Sequence, residues 1–131
     1  MAATNRPVAK SIYLCDRVAL NAANRSLDFG DVFNEVRAPG GSFPHTLARM
    51  CVFAQFEDGF GDAEFRVVVL SAATGQVAFY SPVYLVPFTS RLAVVSVNVR
   101  LTNCPFAAAG EYWVELYCDG VLVGDRALHV L

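Results

Sequence analysis

The C-terminal segment, residues 110–131, is the part of the sequence that most constrains the fold. Asp119-Gly120 provides two consecutive residues that tolerate a positive φ, as a two-residue type I′ turn requires. The residues before this turn alternate between an apolar row and a mixed row: Tyr112, Val114, Leu116 and Cys118, against Glu111, Trp113, Glu115 and Tyr117. The segment therefore predicts a long β-hairpin with one face in a core.

The turn also predicts the register of the hairpin. With two residues in the turn, Cys118 lies opposite Val121 and Leu116 lies opposite Val123. Farther along, the apolar positions change parity to Leu128 and Val130. We therefore expect a β-bulge near Gly124-Asp125, because one extra residue reverses the faces.

The rest of the chain indicates the same fold class. Turn signals recur every 8–12 residues between short alternating segments, and no helical period persists beyond a few residues. We predict an all-β, two-sheet antiparallel Ig-like β-sandwich of about eight strands, closed by the C-terminal β-hairpin. Residues 1–10 are expected to form a flexible N-terminal arm, and residues 11–131 a single β-sandwich domain.

Composition limits the partners. Hydrophobic residues make up 55% of the sequence, and the mean hydropathy is +0.41. Either several strands are covered on both faces, or apolar surface is kept for a partner. The net charge of −2 provides no positive electrostatic field to attract nucleic acid, so no nucleic acid is expected to bind.

No stretch resembles a targeting signal or a membrane span, so we expect a cytoplasmic protein that does not bind membranes.

The four cysteines, Cys15, Cys51, Cys104 and Cys118, lie far apart and form no C-x-x-C pair. This spacing favours small buried hydrophobic residues, with disulfides as the alternative.

Tyr112, two residues after Gly110 at the start of a strand, is either a tyrosine-corner residue or an ordinary core tyrosine.

Three stretches together resemble a family of small, functionally uncharacterised bacterial proteins built as single β-sandwich domains. They are Cys15-Asp16 followed by residues 27–33, then residues 42–45 leading into residues 50–52, and finally Pro105-Phe106 with Gly110, Tyr112, residues 116–120 and residues 123–124. These motifs are turns and core positions. The resemblance implies the sandwich fold and a bacterial cytoplasmic setting, and it provides no catalytic residue.

Motifs of catalysis are sparse. A small hydrolase-like or thiol enzyme is one alternative, with a site assembled from Cys15, Asp16 and His45, because a nucleophile and its base need only meet in space. No nucleophile-elbow motif and no phosphate-binding glycine loop accompany these residues. The acidic residues 57–64 lack the spacing of a calcium loop and are typical of a solvated hairpin end. We therefore predict no cofactor and no metal.

The function predicted from the sequence is a non-enzymatic interaction module that binds another protein or self-associates. A small-ligand module with an apolar slot between the sheets is a further alternative. The candidate interface is the mixed row of the hairpin, Trp113, Glu115 and Tyr117, because aromatic residues dominate binding hot spots and acids suit a rim. We expect Tyr117 to face outward, and Trp113 to pack inside the sandwich or under a loop.

Overall fold

The structure is a computed structural model that describes residues 6–131. Those residues contain ten strands and a single short 3-10 turn at Pro39–Gly41. The strands are β1 (Val8–Asn21), β2 (Ser26–Val32), β3 (Glu35–Val36), β4 (His45–Glu57), β5 (Gly61–Ser71), β6 (Val77–Tyr80), β7 (Tyr84–Phe88), β8 (Val95–Phe106), β9 (Gly110–Cys118) and β10 (Val121–Val130). Residues 6–131 include no helix with the length and apolar character needed to cross a membrane.

The strands form two sheets. The smaller sheet has the order β2-β1-β4-β8, and the larger sheet has the order β3-β10-β9-β5-β6, with β7 also paired to β5. All pairs are antiparallel except β3 with β10, which run parallel over two residues. The predicted two-sheet antiparallel sandwich is therefore confirmed, with ten strands in place of about eight and one short parallel pair.

The core lies between the two sheets, where alternate residues of each strand face inward. Its largest fully buried side chains are Leu14, Met50, Val52, Phe56, Phe65, Val67, Val69, Leu101, Phe106, Val114, Leu116 and Leu128. Phe56 of the smaller sheet and Phe65 of the larger sheet meet edge to face, with ring centres 5.7 Å apart. A buried aromatic pair of this geometry stabilises the contact between the sheets beyond the area that it buries.

The closing hairpin has the turn that the sequence predicts. Asp119 and Gly120 have φ values of 50° and 77°, and Cys118 pairs with Val121. The register then shifts between Leu122 and Gly124, so that Leu116 pairs with Gly124 and not with Val123. The bulge is thus real and begins slightly before the predicted position.

Gly124 has a packing reason for its place in this bulge. A Cβ atom added there would lie 2.8 Å from Cδ1 of Ile12 in β1. The absence of a side chain therefore lets β1 of the smaller sheet approach β10 of the larger sheet closely.

Tyr112 is a tyrosine-corner residue. Its hydroxyl donates a hydrogen bond of 2.7 Å to the carbonyl oxygen of Ala108, four residues upstream. The ring is buried against Phe106, with centroids 4.9 Å apart. The side chain therefore fixes the loop between β8 and β9 to the core, as in other Ig-like sandwiches.

One edge of β5 is shared by two short strands. β7 pairs with residues 61–65 of β5, and β6 pairs with residues 68–70. Ser81 fills the gap between them, because its buried hydroxyl accepts a 2.8 Å hydrogen bond from the backbone N–H of Val67. The backbone N–H of Val67 at this edge therefore has a hydrogen-bond partner, although Pro82 interrupts the strand beside it.

The predicted N-terminal arm is partly wrong. Residues 1–5 lie outside the described residues, but Val8 already belongs to β1 and pairs with Glu57 of β4. The strand begins early because residues 8–15 of β1 pair with residues 51–57 of β4, up to the last residue of that strand.

We predict that Gly120→Val lowers the free energy of unfolding by ~1–3 kcal/mol. No atom lies within 4 Å of a Cβ at this position, so the penalty comes from the positive φ and not from a clash. Asp119→Asn is the control, since Asn tolerates the same backbone region. Urea denaturation of the three proteins measures the effect, and an unchanged value for Gly120→Val would contradict the type I′ turn.

Tyr112→Phe should lower the free energy of unfolding by about 1 kcal/mol, because it removes only the hydrogen bond to Ala108. Tyr80→Phe is the matched control, since the Tyr80 ring is 57% exposed and its loss of a hydroxyl should cost little. Equal effects of the two substitutions in thermal or urea unfolding would argue against a structural role for the tyrosine corner.

Candidate functional site

The residues of the predicted enzyme site do not come together. Cys15 pairs with Cys51 of β4, whereas His45 lies at the start of that strand and pairs with Phe106. Six residues separate His45 from Cys51, which corresponds to ~20 Å along a strand. Asp16 is occupied by an ion pair in which Nη2 of Arg49 lies 2.8 Å from Oδ2.

The Cys15 thiol is also a poor nucleophile. Burial, followed by the neighbouring Cys51, raises the pKa of Cys15 to about 11. Almost no thiolate forms near neutral pH, and the thiolate is the reactive form. A site built on Cys15, Asp16 and His45 therefore has neither the geometry nor the activated thiol that catalysis requires.

All four cysteines are free and buried. Burial raises the pKa of Cys104 to about 12, and the same cause raises that of Cys118 to about 12. These thiols pack as small apolar side chains, which confirms the prediction of buried hydrophobic cysteines.

The acidic stretch 57–64 comprises the end of β4, the turn at residues 58–60 and the start of β5. Asp58 makes an ion pair with Arg91, with 2.9 Å between Oδ1 and Nη2. Within residues 6–131, no group of three or more His, Cys, Asp or Glu side chains is arranged to hold a metal ion. The local role of Asp58 is to fix this turn to the segment that precedes β8.

The candidate interface row of β9 faces away from the core. Tyr112, Val114, Leu116 and Cys118 belong to the core, while Trp113, Glu115 and Tyr117 alternate with them and are half-buried. The outward position expected for Tyr117 is therefore correct. Of the two positions expected for Trp113, the one inside the sandwich is wrong, because its parity places it on the outer face of the larger sheet, beside Leu70. The position under a loop stays a prediction.

Glu115 and Tyr117 line a groove of about 480 Å³ on this outer face. We call it the outer groove and define it by its lining residues, Glu64, Arg66, Val68, Leu70, Val77, Tyr80, Val83, Glu115, Tyr117 and Gly120. Val68, Leu70 and Val77 provide an apolar surface, and Tyr80 and Val83 are exposed beside it. Trp113 lies next to the groove along β9 but does not line it.

Strand pairing explains why these residues meet. Arg66 of β5 lies opposite Tyr117 of β9, and Val68 lies opposite Glu115. On the other side of β5, Val68 lies opposite Tyr80 of β6. Three neighbouring strands therefore contribute adjacent outward side chains to one surface.

Two contacts set the electrostatics of the groove. The Arg66 guanidinium carbon lies 5.5 Å from the centre of the Tyr80 ring, a cation–π contact. The Tyr117 hydroxyl donates a 2.8 Å hydrogen bond to Oε1 of Glu115, and this bond raises the pKa of Tyr117. Glu115 thus already has a donor, whereas Arg66 makes no ion pair with any residue from 6 to 131.

Sequence reasoning identified the β9 part of this site and missed Arg66, Val68 and Tyr80. The outward parity of Arg66 and Val68 was readable from the alternation of Phe65, Val67 and Val69. That β5 lies beside β9, and β6 beside β5, was not readable, because these pairings join segments distant in the chain.

Comparisons with known proteins agree with the fold. The model of a family of unknown function, DUF6941, matches residues 10–131. An immunoglobulin-like protein from Pseudomonas aeruginosa, known from a crystal structure, is 13% identical, with a TM-score of 0.50 over 96% of this chain and 97% of that one. No curated protein matches the chain. At this identity the structural likeness shows the Ig-like fold alone.

The buried thiols give a pH-dependent prediction. The ordinary thiol pKa is 9.0 and that of Cys104 is about 12. The unfolded chain therefore releases this proton first, and stability falls as pH rises from 9.0 toward 12. In Cys104→Ala this fall should be shallower, by up to ~1.4 kcal/mol per pH unit.

The control is Val99→Ala in the same strand, which also removes buried volume but no titrating group. It should lower stability without changing the slope against pH. Urea unfolding across the alkaline range measures both variants. Identical slopes for wild type and Cys104→Ala would contradict the buried, neutral thiol.

Proposed function

The chain belongs to the DUF6941 family of unknown function, and we propose that it is a non-enzymatic module that binds a protein partner through the outer groove. The observation that carries the proposal is the groove itself. It presents an apolar surface with exposed aromatic and arginine side chains on the side of the larger sheet that faces away from the core.

The residue types in the groove support a protein partner. Tyrosine and arginine are enriched at interface hot spots because they combine apolar area with a polar group. Tyr80 is 57% exposed, and the neighbouring strand β7 adds Leu85 at 64% exposed. Leu85 lies opposite Glu64, so it extends the same outer face beyond the groove.

The charges indicate the chemistry of the partner. Arg66 is positioned by the Tyr80 ring and has no carboxylate partner within residues 6–131. Glu115 is already engaged by Tyr117. A protein segment with an apolar side chain for the Val68 region and a carboxylate for Arg66 complements both features.

A small ligand in the same groove is the second candidate, because about 480 Å³ lies within the range of ligand sites. The outer groove is not the apolar slot between the sheets that the sequence suggested. The space between the sheets is filled by the side chains of the core, and the groove lies on the outside of the larger sheet.

Tyr80→Ala should weaken partner binding by ~2 kcal/mol, about thirtyfold in Kd, while stability changes little. The partner is recovered with the wild-type protein from the native host, purified, and titrated calorimetrically against each variant. Leu20→Ala is the matched control, since Leu20 is exposed and lies in β1 of the smaller sheet.

An equal Kd for wild type and Tyr80→Ala would overturn the assignment of the groove, as would a loss of binding in Leu20→Ala. Arg66→Gln tests whether the partner supplies a carboxylate to Arg66. It should weaken binding at low salt and make the remaining affinity less dependent on ionic strength. Native mass spectrometry that finds a bound small molecule and no protein partner would favour the second candidate.

A further inference from the structure

No strand among residues 6–131 is hydrogen-bonded to the outer edge of β8, although β6 of the larger sheet packs close to β8. Within residues 6–131, β8 ends the smaller sheet and pairs only with β4. Alternate backbone N–H and C=O groups along its other side are therefore free to bond another strand. At twelve residues, β8 is long for an unprotected edge.

The other edges carry features that discourage pairing. The edge formed by β6 and β7 is interrupted by Pro82 and contains Pro87. β2 contains Asp31 with a φ of 43°. β3 covers only residues 129–130 of β10, and the rest of the β10 edge carries the bulge at Gly124 and the charges of Asp125 and Arg126. In contrast, β8 has no proline, no glycine and no positive φ from Val95 to Thr102, and Arg100 is its single charge. Such a strand is a template for a further strand.

The core is also incompletely covered along this edge. Val95 and Val97 face inward but are half-buried, whereas Val99 and Leu101 on the same face are fully buried. A strand placed beside the first half of β8 would cover both valines. Backbone hydrogen bonds and apolar burial would therefore act together at this position.

We propose that β8 pairs with β8 of a second copy of this chain, antiparallel and centred on Asn98. In this register Val95 lies opposite Leu101 of the second copy, and Val97 lies opposite Val99. On the outer face Ser96 lies opposite Arg100 of the second copy. The two smaller sheets of four strands each become one continuous sheet of eight strands.

Other registers are less favourable. Centring on Arg100 places the two guanidinium groups directly opposite each other, which is destabilising. Centring on Val99 places Val95 opposite Asn103, whose φ of 55° departs from strand geometry. Centring on Val97 or Ser96 also gives both half-buried valines apolar partners and keeps the arginines apart, but it pairs only residues 95–99 or 95–97 of the strand. The Asn98 register pairs the longer run, residues 95–101.

Cysteine substitution tests the register. Asn98→Cys should form an intermolecular disulfide under mild oxidation, because the two-fold axis passes between the two copies of residue 98. Arg100→Cys is the matched control on the same face, and its two thiols would be separated by about four residues of strand, or ~13 Å. The four native thiols are buried and do not compete.

A pair of charge variants tests the same contact without oxidation. Ser96→Glu places a carboxylate opposite Arg100 of the second copy, and Ser96→Arg places a like charge there. Both replace the Ser96 hydroxyl that accepts a 3.4 Å hydrogen bond from the side chain of Gln55. Sedimentation equilibrium should show a dimer roughly fivefold tighter for Ser96→Glu and roughly fivefold weaker for Ser96→Arg.

A wild-type protein that stays monomeric while Asn98→Cys fails to cross-link would overturn the proposal. Cross-linking of Arg100→Cys in place of Asn98→Cys would overturn it too, as would a dimer that Tyr80→Ala abolishes and Ser96→Arg leaves intact. The cross-linking of residues 98 and 100 and the Ser96 charge variants do not involve the outer groove, so these two tests are independent of the function proposed above.

Discussion

The structure depends on how the turn at Asp119-Gly120 is attached to β5. The backbone N–H of Asp119 donates a 2.8 Å hydrogen bond to the carbonyl oxygen of Glu64. The Asp119 side chain in turn accepts a 2.9 Å bond from the N–H of Glu64. The type I′ turn thus fixes the closing hairpin and also aligns it with β5. A slip by one residue would move every apolar side chain of β9 to the opposite face.

The same alignment creates the outer groove. Once Asp119 is fixed at Glu64, Arg66 must lie opposite Tyr117, and Val68 opposite Glu115. The groove is therefore a consequence of the pairing that buries the core, since the inward and outward rows of each strand have a fixed relation. Strand β6 adds the exposed aromatic ring of the groove, because it brings Tyr80 beside Val68 and close enough to contact Arg66.

This relation explains how much the sequence could predict. The hairpin, its turn, the bulge and the outward row of β9 follow from local alternation and turn chemistry, and so does the Ig-like sandwich. An interior position for Trp113 failed because the strict alternation of β9 places Trp113 on the row opposite the core residues Tyr112 and Val114. The groove could not be predicted, because it requires knowing that β5 lies between β9 and β6. The long-range pairing of β8 with β4 likewise determines which strand is left at an edge.

The high apolar content of the chain has two sources, which are the core and two surfaces outside it. The core accounts for the inward rows, while the outer groove and the open edge of β8 hold apolar residues without covering neighbours within residues 6–131. The two surfaces belong to different sheets and share no residue. Antiparallel pairing of β8 with its copy places the two-fold axis perpendicular to the smaller sheet. Both larger sheets then lie on the same side of the joined sheet, and both outer grooves face the same direction. If each groove binds as proposed, self-association creates a bivalent surface, and a partner that repeats its binding segment gains affinity without any new contact.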